Sequence, residues 1–215
     1  MFEENILATE HEALGFVDKY GLVTLFPIRG FSFPNLYQAI AGKDRNEKFD
    51  RTWQWADNLA QKKRIYYGKF VCKQVTLISL EVFPYVYRLN KRNDFNDVSR
   101  AILEFLGQHG ATSTTNLRKQ LQLAGRKKKS TFVKSMDELQ LGFAISVVDR
   151  AKTAQMTYTW DLLERWMPKE LLEKAENVDE TTAEERIKAK LLDNKVFPKL
   201  EDGKLFPVNV VKKKK

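Results

Sequence analysis

The chain has 215 residues, of which 43% are hydrophobic and 12% aromatic, and carries a formal charge of +9 with an isoelectric point near 9.5. That length favours about two domains of roughly 100 residues, and no apolar run reaches the roughly 18 residues a membrane-spanning helix needs. The lone Cys72 excludes an internal disulfide, and Met1-Phe2-Glu3-Glu4 is acidic where a signal peptide is basic, so the expectation is a cytoplasmic protein with a polyanionic partner.

Taken in chain order, residues 6–20 read as a helix with Leu14 and Val17 inward and Gly21 at its end. Residues 22–26 are β-branched and aromatic, a short strand stopped by Pro27. Pro34 suits the first position of a helix holding Leu36, Tyr37 and Ile40, which Gly42 terminates. Residues 43–48 form a polar loop, and Asp50 caps a helix carrying Trp53, Trp55 and Leu59. Strand-like residues 64–71 turn at Cys72-Lys73-Gln74 and return through 75–78. Residues 79–89 follow as a connecting helix restarted at Pro84, then a charged linker at 91–94.

The next stretch carries the clearest pattern. Val98, Ala101, Ile102, Phe105 and Leu106 make one apolar stripe on a helix that stops near His109-Gly110. Ser113 caps a second, short helix with Leu117 and Leu121 on one side, and Gly125 ends it. A third runs from about 127 to 141, with Phe132, Met136 and Leu139 on one side and Gly142 as a left-handed C-cap. The period then switches to 2: Phe143, Ile145 and Val147 alternate, residues 150–155 turn, and Met156, Tyr158 and Trp160 return in step. Three helices and a hairpin are the order of a winged helix-turn-helix, and the first 90 residues read as a degenerate second copy. After Trp160 the chain is helical, interrupted at Pro168; a loop at 177–181 precedes a capping box of Thr182 and Glu185, and Ile187 and Leu191 face inward. The end, with four terminal lysines, lacks periodicity and reads as a loosely docked or disordered tail. The fold class is α+β and mostly helical: a degenerate winged-helix-like domain at 1–92, a winged helix-turn-helix domain at 93–166, and a helical extension with a basic tail at 167–215.

Of chemistry, little is encoded. His11 and His109 lack ligand-spaced partners, so no metal and no cofactor are expected. Gly125-Arg126-Lys127-Lys128-Lys129-Ser130 lacks the second glycine of a phosphate loop, and no Gly-x-Ser-x-Gly elbow occurs. Between Glu104 and Asp137 there is no acidic residue, while Arg118, Lys119, Arg126, Lys127, Lys128, Lys129 and Lys134 all occur. On the third helix Lys127, Ser130, Thr131 and Lys134 fall opposite the apolar side, where a recognition helix meets a groove. The hairpin turn adds Arg150 and Lys152, within reach of a flanking phosphate. Arg118, Lys119, Arg126, Lys127, Lys128, Ser130, Thr131, Lys134, Arg150 and Lys152 form the expected DNA-binding site. Trp53, Trp55, Tyr66 and Tyr67, interleaved with Arg51, Lys62, Lys63 and Arg64, suit either a stacking platform or a core, with core the stronger reading.

Trp53-Gln54-Trp55-Ala56-Asp57, Tyr66-Tyr67-Gly68-Lys69-Phe70, Ile78-Ser79-Leu80-Glu81 and Thr159-Trp160-Asp161-Leu162-Leu163-Glu164-Arg165-Trp166 give residues 16–166 a patchwork that resembles short relatives of the bacterial AlkZ-like winged-helix DNA glycosylases. The resemblance implies tandem winged helices on DNA and, in full-length members, metal-free removal of alkylated or crosslinked bases through a Gln-x-Gln or Gln-x-Asp motif near the N-terminal part of the fold. Here the only Gln-x-Gln is Gln120-Leu121-Gln122, on the second helix of the second domain, and no catalytic residue is assigned. The expected function is DNA binding in repair or regulation, without catalysis of its own and without a membrane; a metal-free glycosylase and a scaffold for protein contacts are the alternatives.

Overall fold

The computed structural model describes residues 6–30, 32–123, 125–151 and 157–193. Helix α1 (Glu10–Tyr20) begins at a reciprocal cap: the Thr9 hydroxyl accepts from the Glu12 amide, and the Glu12 carboxylate accepts from the Ala8 and Thr9 amides. That cap starts the helix four residues later than its apolar pattern suggests. Gly21, at φ 75°, ends it and feeds β1 (Leu22–Thr24).

Asn35 caps the short α2 (Leu36–Ala39), and α3 (Arg45–Gln61) follows. Its cap is Asp44, whose Oδ1 accepts from the Glu47 amide at 2.7 Å, so the expected cap at Asp50 lies inside the helix. The polar stretch 45–48, expected as loop, is the solvated first turn. Strand β2 (Ile65–Lys69) is joined to β3 (Val75–Ser79) by a 3₁₀ turn, Val71–Lys73, in which Cys72 and Lys73 take positive φ. Ser79 is the last rung of that pair, opposite Ile65, so α4 (Phe83–Asn90) starts only after it, with Pro84 in the first turn.

The second group repeats the order. Asn96 caps α5 (Asp97–His109), a two-residue strand β4 (Thr112–Ser113) follows, and Ser113 caps α6 (Thr114–Gln120). Then come α7 (Arg126–Leu141), β5 (Ile145–Ala151) and β6 (Thr157–Leu162). Both groups therefore run helix, strand, helix, helix, strand, strand. Their antiparallel sheets have the equivalent orders β1-β3-β2 and β4-β6-β5. The fold is α+β, mostly helical, with two small three-stranded sheets.

One expectation about the end of α7 is corrected. Gly142 has φ −85°, and the left-handed residue is Phe143 at φ 55°. Glycine is needed at 142 for room instead: a Cβ there would stand 2.8 Å from the Phe95 ring.

Three further helices, α8 (Leu163–Trp166), α9 (Lys169–Asn177) and α10 (Glu180–Asp193), carry the chain back to the first group, where α9 and α10 pack on α4. Ala175, Ala183, Ile187 and Leu191 are buried there, rimmed by Lys91–Glu176 and Lys190–Glu81 pairs at 2.8 Å. Asp179, not Thr182, caps α10, accepting from both the amide and the hydroxyl of Thr182. The expected basic tail lies outside the described residues.

A single hydrophobic core runs through both groups and the returning helices. Its centre is aromatic. Tyr66 is fully buried, its ring 5.3 Å from those of Phe83 and Phe143 and 6.1 Å from Trp166, and its hydroxyl donates to the Ile145 carbonyl at 3.0 Å. Trp55 and Tyr67 are buried too, so of the four aromatics weighed as a stacking platform only Trp53 reaches the surface.

Candidate nucleic-acid interface

Helix α7 has two unlike faces. Phe132, Ser135, Met136, Leu139 and Gln140 are buried, whereas Lys129, Ser130, Thr131 and Lys134 are exposed. The 3.6-residue period produces most of this directly, since the apolar positions 132, 136 and 139 recur every three to four residues and turn 130, 131 and 134 outward, while Lys129 is exposed in the first turn. The helix's two carboxylates are held on its inner side. Asp137 pairs with Lys69 of β2 at 3.1 Å, and Glu138 accepts from Asn96 and Ser99 at the start of α5. The outer face is thereby left cationic.

Helix α6 lies before it, anchored by Leu117, which is fully buried, and by Thr114, whose hydroxyl donates to the Tyr158 carbonyl and accepts from the Trp160 indole. Lys119 is exposed on α6. Arg118 is partly buried, its guanidinium 6.0 Å over the Phe132 ring, which ties α6 to α7. The first turn of α7 contains no acidic residue and Gly125 provides no side-chain cap, so its amide dipoles and its basic run add the same sign of potential. Of the other expected contacts, Arg126, Lys127 and Lys128 sit in that turn with side chains outside the description, and Lys152 lies outside the described residues. Lys129, exposed in the first turn, is a further cation of the acid-free run.

Arg150 is a correction. It was expected at the hairpin turn, free to meet a phosphate, but it is buried against α3. Its Nε donates to Asp57 Oδ2 at 2.7 Å, both side chains are 5% exposed, and its guanidinium stacks 4.3 Å over Trp53. The Tyr67 hydroxyl donates to the other Asp57 oxygen at 3.2 Å, and Gln61 donates to Asp149 at 2.7 Å beside it. Burial pushes the Tyr67 hydroxyl well above its ordinary pKa, with the Asp57 charge adding to the shift; burial also raises that of Tyr158, which Arg150 partly offsets. The Tyr67 hydroxyl stays protonated as a donor to Asp57, and Arg150 donates to the Tyr158 hydroxyl. This network fastens the two groups together and leaves Arg150 no outward reach.

Gln120 and Gln122 do not form a pair. Gln120 is exposed at the end of α6 with its amide 3.4 Å from Asn116, whereas Gln122 lies beyond the helix at φ 54°. Among the described residues no three His, Cys, Asp or Glu side chains converge as metal ligands, and no helix is long and apolar enough to cross a membrane.

Fold and surface together define a mostly helical α+β protein that carries a cationic helix face beside a small antiparallel sheet. The chain belongs to the AlkZ-related family, which it matches over residues 7–202, and membership links it to DNA repair. No curated protein and no solved structure matches it.

Proposed function

We propose that this protein binds duplex DNA in repair or its regulation, and that it does not itself excise bases. In this reading residues 1–92 and 93–166 are two winged helix-turn-helix domains, with 167–215 as an extension, and α7 is the recognition helix of the second. The observation that carries it is the division of α7: both carboxylates are turned inward and bonded, while Lys129, Ser130, Thr131 and Lys134 form an outer face without acid. Lysines and hydroxyls so placed suit phosphate contact near a major groove. Lys119 and the partly buried Arg118 of α6 add further cations beside it, and the sequence of the first turn of α7 is basic.

The family's association with DNA supports the partner, and the separation of Gln120 from Gln122 supports the absence of catalysis. An excising site must hold water beside an extruded nucleotide and stabilise developing positive charge, which needs convergent polar groups. Anisotropy titration of a labelled duplex at about 50 mM salt is expected to give micromolar or tighter binding. No binding would leave the scaffold reading. Incubation with methylated or crosslinked duplex, followed by alkaline scission, is expected to release no base above background, and Gln120→Ala with Gln122→Ala to leave affinity within about threefold. Excision by the wild-type protein would make it a glycosylase.

A further inference from the structure

Beside α7 a cleft of about 160 Å³ opens between β2 of the first sheet and β5 and β6 of the second. Its walls are the rings of Tyr67, Phe132, Tyr158 and Trp160 with Met136 and Val147, an almost wholly apolar surface. Engineered protein cavities of about 150 Å³ accept a single aromatic ring, so the size suits one ring, or a fused pair reaching into the open mouth.

The polar groups of these walls are nearly all engaged. The Thr114 hydroxyl donates to the Tyr158 carbonyl and accepts from the Trp160 indole, and the Tyr67 hydroxyl donates to Asp57. Lys69 and Asp137 pair with each other and are partly exposed. Gln140 differs. It is 4% exposed, its Nε2 donates back to the Met136 carbonyl at 3.0 Å, and its Oε1 accepts no hydrogen bond from any described residue. Gly68 supplies no side chain to cover that oxygen; a Cβ built there would stand 3.6 Å from it. Gln140 lines the cleft, so this oxygen is an acceptor that a ligand N–H can take up in place of water.

We propose that this cleft binds a small, neutral, planar aromatic molecule that presents one N–H donor to Gln140 Oε1. Charge is excluded by the apolar rings, since an ion would lose its hydration without gaining a counter-charge inside. The edge of the ring that carries the N–H points inward to Gln140, and the faces lie against Met136 and the aromatic side chains.

Indole and benzofuran, alike in shape but differing in the N–H, are suitable probes for calorimetric titration of the full chain. Indole is expected to bind, with benzofuran about fivefold to tenfold weaker, the worth of one hydrogen bond. Gln140→Met, which keeps the volume and removes the acceptor, should bring the two ligands to equal affinity. Val133→Trp, a change at an exposed residue of the cleft wall, should block both while leaving the fold intact. Equal binding of the two probes to wild-type protein, no binding of indole, or a preference for indole that survives Gln140→Met would each overturn the proposal. If Gln140→Met does not fold, the wild-type preference and the Val133→Trp block decide alone.

Discussion

Replacing Asp57 by Asn should be among the most damaging single changes in this protein. The substitution keeps the side chain's shape and an oxygen for the Tyr67 hydroxyl, but removes the only formal charge described within bonding distance of Arg150. Both side chains are 5% exposed, so water cannot reach in to solvate the orphaned guanidinium. Breaking one partner out of a buried pair costs about 3 to 5 kcal/mol, because the remaining charge stays buried and uncompensated. By contrast the Glu10–Lys62 pair, with its lysine 62% exposed, should lose less than about 1 kcal/mol when Lys62 becomes Ala. Urea unfolding followed by tryptophan fluorescence and far-UV circular dichroism measures both. Arg150→Met should cost about as much as Asp57→Asn, while Asp57→Leu combined with Arg150→Met should lose far less than the two single effects added, since the double variant buries no charge. DNA affinity should change little in any variant that folds. Single variants within about 1 kcal/mol of wild type, or a strictly additive double variant, would refute the claim that this pair locks the two groups.

Other outcomes follow from local geometry. Gly142→Ala should destabilise by about 1 to 3 kcal/mol in urea unfolding, since its Cβ must displace the Phe95 ring at 2.8 Å; a neutral effect would contradict the close approach. Gly110→Ala has nothing within 4 Å and should cost only the backbone strain of φ 76°, ψ −161°, a region almost confined to glycine, about 1 to 3 kcal/mol in urea unfolding. Backbone hydrogen bonds from Ala8 and Thr9 hold the Glu12 carboxyl below its ordinary 4.5, so its cap stabilises fully above that value and weakens as the pH falls through the lower folded pKa. Thermal melts of Glu12→Gln should accordingly show a shallower loss of stability between about pH 5 and 3 than wild type; unchanged curves would remove the capping carboxylate from the acid transition.

Local signals were legible where one residue acts on its neighbours. Ser113 caps the helix it precedes, and the apolar spacing of 132, 136 and 139 assigned the inner face of α7 correctly. Errors arose where the deciding partner is remote. Arg150 near a turn looks like a free cation until Asp57, 93 residues away, is placed beside it. Gly142 follows a helix as a C-cap glycine does, but the Phe95 ring, not φ, is what demands it. Strand β4 is two residues long and has no alternation to read; it exists only because Thr112 and Ser113 pair with Trp160 and Thr159. The start of α3 was hidden differently, since its first turn is wholly polar and only the spacing of Asp44 and Glu47 marks it. The Gln140 cleft, built from four strands and two helices, has no signature in any one segment.

The central claim is that the outer face of α7 holds DNA, and the salt dependence of duplex affinity tests it most directly. With roughly four to six phosphates neutralised, log Kd against log salt should change with a slope of magnitude about 3 to 6, and Lys129→Ala with Lys134→Ala should flatten that slope by about 2 while weakening all duplexes alike. Deleting the last four lysines should alter it less. A helix variant that keeps the wild-type slope, with binding lost instead on deleting those lysines, would contradict the account and place the affinity in the terminal basic run.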